Sequence, residues 1–137
     1  MQALPLAIEQ IVLAYAAIWS ESSIQRIHEL VEYSLAPAVE IVGPGYRFTG
    51  HAEVVAEAQR FAREQSGWRA VLASGIDSHH DMARFSIAMV NPEGITSHLG
   101  EDIVFLGNDG RITRVVTFWG ALPAVPEAWP QRVRAPR

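Results

Sequence analysis

The sequence predicts an α+β fold, with three N-terminal helices packed on one face of a curved, mostly antiparallel sheet. Two observations predict it. Up to about Gln65, apolar residues recur mainly at three- and four-residue intervals, the period of a helix buried on one side. From Trp68 onward, Val-, Ile- and Phe-rich runs alternate with short turns, and short connections favour antiparallel neighbours. Helices followed by a run of strands place the helices together on one face of the sheet.

The first helix is expected over about Leu6 to Trp19, with the stripe Ile8, Ile11, Val12, Tyr15, Ile18 and Trp19. Ser22 and Gln25 form a capping-box signal for a second helix, whose stripe is Ile24, Ile27, Val31 and Leu35 and which Pro37 ends. Ala38 to Val42 reads as a short strand, Gly43-Pro44-Gly45 as a turn, and Tyr46 to Phe48 as a return strand. A third helix follows from about Gly50 to Gln65, with Val54, Val55, Ala58, Phe61 and Ala62 inward. Trp68 to Asp77, Met82 to Val90, Ser97 to Leu106 and Arg111 to Trp119 are the strands of the second half. After Gly120 four prolines lead to an expected irregular and partly mobile tail, so the folded unit is assigned to residues 1–122 and the tail to 123–137.

Composition narrows the function classes. A chain of 137 residues suits one domain with a real core. A net charge of -4, with no Lys/Arg block, argues against nucleic-acid binding. The absence of cysteine rules out disulfides, a thiolate nucleophile and cysteine-ligated metal. No apolar run reaches membrane-spanning length, so no membrane partner is expected. The N-terminus lacks a basic region and carries Glu9 early, so no secretory signal is expected and the cytoplasm is the default location.

Tyr15, in the stripe of the first helix, and Asp102, in the apolar strand Gly100 to Leu106, are the main candidates for chemistry. A phenol and a carboxyl group facing an apolar interior are costly unless they bond each other, water or a ligand. Strand alternation puts His98 on the face of Asp102, about 13 Å away, suited to the opposite end of a pocket and to moving a proton at neutral pH. Glu40 is a further candidate base if a bulge turns it inward. Trp19, Tyr33, Phe48, Phe85, Met89, Thr117 and Trp119 are candidates to line an apolar cavity or simply to fill the core. His79-His80-Asp81 falls in a turn and is read as solvated, so no metal is expected. Ile103, Phe105, Val116 and Phe118 would form a second apolar face on the sheet, which suggests a homodimer.

These landmarks together resemble the nuclear transport factor 2-like superfamily, in particular its ketosteroid-isomerase-like and SnoaL-like branches. The match runs from about Tyr15 to Trp119 and includes Val39-Glu40 before a Pro/Gly loop, Gly50, Ser78-His79, Met89-Val90, Asp102 and Gly110-Arg111-Ile112. The resemblance implies a cone-shaped α+β barrel around a deep apolar pocket, often in a dimer, and no cofactor. It also implies Tyr15 and a protonated Asp102 as an oxyanion hole; ketosteroid isomerase is the standard illustration of such pKa tuning. The expected base aspartate is missing: Pro44 is preceded by Gly43, and an alternative alignment offers Ile41. Thr117 stands where the epoxide-hydrolase-like branch has a carboxylate. The expected function is cofactor-free proton transfer on a small, mostly apolar carbonyl compound, as an isomerase or polyketide-cyclase-like enzyme. In it Tyr15 and Asp102 would hold the enolate oxygen and His98 or Glu40 would move the proton. The alternative is a non-catalytic ligand-binding or dimerisation module of the same fold.

Overall fold

The computed structural model describes residues 3–136, with side chains described from residue 7. Met1, Gln2 and Arg137, at the ends of the expected unit and tail, lie outside the described residues. Among the described residues three helices, α1 (Ala3–Ile18), α2 (Ile24–Ser34) and α3 (Gly50–Glu64), accompany seven strands. These are β1 (Leu35–Gly43), β2 (Tyr46–Thr49), β3 (Arg69–Leu72), β4 (Asp77–His79), β5 (Met82–Val90), β6 (Thr96–Leu106) and β7 (Ile112–Trp119). The sheet runs β2-β1-β7-β6-β5-β3, with β4 also paired to β5. Among the described residues only the β1–β7 pairing is parallel.

The sheet is open, which corrects the expected cone-shaped barrel. Its edge strands β2 and β3, four residues each, do not pair with one another, so the ring is not closed. Beyond Trp119 the described chain holds a single 3-10 turn, Gln131–Val133.

The helix stripes are nearly as the periodicity predicts. Ile8, Ile11, Val12, Tyr15 and Ile18 are buried on α1, and Val54, Val55 and Ala58 on α3. On α2 the stripe is Ile27, Leu30, Val31 and Ser34, while Ile24 is exposed. The α2 cap is Ser23 rather than Ser22: its hydroxyl accepts the Arg26 N–H at 3.3 Å. Glu21 accepts the N–H groups of Ser22 and Ser23, so the residues before the helix are occupied differently from a capping box.

Strand boundaries differ more. Helix α2 ends at Ser34, and β1 passes straight through Pro37. The β1–β7 register shifts between Leu35 and Glu40, and this irregular stretch tolerates a proline that has no N–H to give. The run from Trp68 to Asp77 divides into β3 and β4, both on β5. In the β6–β7 pair, Leu106 meets Ile112 but Phe105 meets Arg114, leaving Thr113 as the extra residue of a bulge. The bulge returns Ile112 to the helix-covered face with Val115, instead of the opposite face that simple alternation gives it. The core lies between that face and the helices.

Candidate functional site

The helix-covered face of the sheet does not fill completely. Between it, α1 and α3 lies a cavity of about 470 Å³. Tyr15 on α1 and Trp19 just past its end reach it from one side, and Glu57, Arg60 and Phe61 reach it from α3. Ile41 on β1 and Tyr46 and Phe48 on β2 form one wall. Ile87 and Met89 on β5, His98 and Asp102 on β6, and Thr117 and Trp119 on β7 form the floor. Gln65, Trp68 and Ala70 complete the lining after α3.

Asp102 is 1% exposed. It sits opposite Thr117 in the β6–β7 ladder, and the Thr117 hydroxyl donates to its Oδ1 at 2.6 Å. Its Oδ2 is buried without a hydrogen-bond partner. Burial disfavours the charged form and pushes the carboxyl pKa up to about 6, against a smaller opposing effect of the Thr117 bond. The group therefore changes charge near neutral pH, where a proton carrier is most effective.

Tyr15 is 3% exposed. Burial raises its phenol pKa, and the charge of Asp102 raises it further, while a hydrogen bond from the Trp19 side chain lowers it. Tyr15 thus stays a neutral donor close to a carboxylate. The two side chains reach one cavity because the buried stripe of α1 and the inner face of β6 oppose each other across it.

His98 lies on the same face but is exposed; its Nδ1 is 2.6 Å from the Ser97 hydroxyl, and its ring meets Trp119 edge-on at 6.2 Å. It belongs to the cavity's open end. Arg60 is held by Glu57 and Glu64 on its own helix, so its charge is already matched.

Three candidates fall elsewhere. Glu40 is paired across the ladder with Arg114, on the face away from the helices, and its carboxylate binds both Arg47 and Arg114. No bulge turns it inward, and its ion pairs hold it outside. Tyr33 is 51% exposed on α2, its hydroxyl 3.5 Å from Gln10. Phe85 is buried in the core beneath the sheet's inner face and is not part of the cavity wall. Trp19, Phe48, Met89, Thr117 and Trp119 do line it.

Tyr46 was missed in the sequence. It read only as part of a short return strand, yet its hydroxyl accepts the Trp119 indole N–H at 3.3 Å on the cavity wall. The signal was present in Gly43, which faces Tyr46 across the β1–β2 pair and leaves room for its ring. Among the described residues no three His, Cys, Asp or Glu side chains converge as a metal site. None of the described helices is long and apolar enough to cross a membrane.

The fold has clear counterparts. A SnoaL-like family protein from Agrobacterium tumefaciens strain C58, described as an isomerase, is 30% identical, with a TM-score of 0.78 over 85% of this chain and 99% of its own. A protein from Sinorhizobium meliloti assigned as a polyketide cyclase is 17% identical, with a TM-score of 0.62 over 79% of this chain and 93% of its own. A ketosteroid-isomerase-like fold from Catenulispora acidiphila, in complex with trimethylamine, is 13% identical, with a TM-score of 0.63 over 78% of this chain and 82% of its own. The last two likenesses concern the fold alone. No protein-family model and no curated protein matches the sequence.

Proposed function

The chain belongs to the SnoaL-like family of the nuclear transport factor 2-like superfamily, and from that premise we propose that it catalyses cofactor-free proton transfer on a small, mostly apolar carbonyl compound. The observation that carries the reading is Asp102 Oδ2: buried, unpartnered, on the cavity wall, and belonging to a carboxyl group that titrates near neutrality. It makes Asp102 the proton carrier rather than a fixed oxyanion donor. A separate base is then unnecessary, so Gly43 before Pro44 is no obstacle.

In its ionised form Asp102 takes a proton from the carbon beside the carbonyl. The C–H electron pair becomes the new C=C bond, and the carbonyl π pair moves to oxygen, stabilised by the Tyr15 hydroxyl. Returning the proton to the far end of a conjugated system completes an isomerisation. Attack of the enolate carbon on a second carbonyl, whose oxygen then takes the proton, completes a cyclisation. Either sequence regenerates Asp102 and consumes no cofactor. We assign the protein to the cytoplasm and to a homodimer formed through the outer sheet face.

The test is proton–deuterium exchange at the α-carbon of small enones and 1,3-diketones, followed by NMR. Asp102→Asn and Tyr15→Phe should each slow exchange by about 10²–10³-fold. The rate should also rise with pH through about 6, as Asp102 ionises. If wild type and both variants exchange alike while still binding these compounds, the protein is the non-catalytic ligand-binding module instead.

A further inference from the structure

We propose that Tyr46 is a second oxygen-holding phenol, so that the ligand's enolate or phenolate oxygen is met by two tyrosine hydroxyls, Tyr46 and Tyr15. This rests on the carbonyl reading of the cavity and names the group that the site would hold.

A phenol oxygen has one proton to give and lone pairs to accept with, whereas an indole N–H only gives. Trp119 therefore occupies an acceptor position on Tyr46, at 3.3 Å, and leaves the Tyr46 proton to be spent elsewhere. Among the described residues, no hydrogen-bond acceptor meets it. Trp19, four residues beyond Tyr15, stands edge-on to the Tyr15 ring with centroids 6.2 Å apart and lowers the phenol's pKa from the donor side. Each tyrosine thus has a tryptophan beside it, and the two phenols line the same cavity, Tyr46 from β2 and Tyr15 from α1.

The backbone keeps Tyr46 in place. A Cβ at Gly43 would overlap the Tyr46 Cζ and hydroxyl oxygen, so the end of the ring lies directly on glycine. Phe48 stacks beside it, centroids 5.5 Å apart and planes 22° apart. Trp119 is supported in the same way: a Cβ at Gly100 would stand 2.6 Å from its ring. Donors fixed before the ligand arrives need no reorganisation to meet developing charge.

The experiment titrates wild type, Tyr46→Phe, Trp119→Phe and Tyr15→Phe with phenols of graded acidity and with their methyl ethers, read by tryptophan fluorescence and by calorimetry. Circular dichroism melts confirm folding. Tyr46→Phe should weaken phenolate binding by about ten- to hundredfold, leave the methyl ethers nearly unchanged, and flatten the dependence of affinity on phenol acidity. Trp119→Phe should act in the same direction but less. If Tyr15→Phe weakens phenolates and Tyr46→Phe does not, this inference fails while the proposed function stands. Equal loss for phenols and methyl ethers in Tyr46→Phe would also overturn it, since packing alone would then be at stake. If wild type binds no phenol at all, both this inference and the carbonyl reading fall.

Discussion

Asp102 couples the stability of the fold to pH. Burial raises its pKa from 3.8 to about 6, so the folded protein holds this proton more tightly than the unfolded chain does. The favourable contribution is full below about pH 4, declines as pH rises through about 4 to 6, and is gone above that. Keeping the ionised group buried then costs on the order of 3 kcal/mol. Asp102→Asn should therefore be more stable than wild type at pH 8 by about 1–3 kcal/mol, with the gap closing toward pH 4. Urea unfolding at several pH values measures this, and a gap independent of pH would contradict the assignment. A buried acid whose neutralisation stabilises the fold is what the proposed proton transfer would require to be kept at the expense of stability. Tyr15 and Asp102 were legible in the sequence because each is a polar group in an apolar pattern. Glu40 was not, since its orientation depends on Arg47 and Arg114, which lie 7 and 74 positions away in sequence.

Elements were legible in proportion to how local their causes are. The stripes of α1 and α3 depend on intervals of three and four residues, and they appear where periodicity puts them. The bulge at Thr113 and the irregularity around Pro37 depend on pairing with a distant strand, which no local pattern encodes. The open sheet likewise reflects which strands pair at long range, with β2 and β3 left as edges, rather than any local motif. Gly100 shows the same dependence: its need for glycine comes from β7, which packs the Phe118 carbonyl and the Trp119 ring against it. Gly100→Ala would bring a Cβ to 2.6 Å from both, and a backbone carbonyl has little room to retreat. The expected cost is roughly 1–3 kcal/mol, measured by chemical denaturation. Displacement of Trp119 should also shift its fluorescence, and wild-type stability with an unchanged spectrum would show that the strands can part freely.

For the whole molecule, the outer face of the sheet sets the expected assembly. Ile103, Phe105 and Val116 are half-buried there, while Leu99 and Phe118 are 55% and 60% exposed. Ion pairs flank this stretch, Glu40 with Arg47 and Arg114 toward β1 and β2, and Asp77 with Arg84 toward β4 and β5. The exposed Glu101 lies within this face opposite Phe118, and an apolar stretch edged by charges has much of the usual anatomy of an interface. The helices already cover the other face, so a second copy meeting this one sheet to sheet would bury the patch with its own equivalent. Sedimentation equilibrium at micromolar concentration should give the dimer mass. Val116→Asp would place a charge near the centre of the contact with no partner to match it, and should weaken association by about 3 kcal/mol or more. Because Val116 faces away from the cavity, the variant monomer should keep its fold and bind ligands at Tyr15 and Asp102 as before. Dimer mass unchanged by the substitution would exclude this surface, and a wild-type monomer at every concentration would exclude the dimer itself.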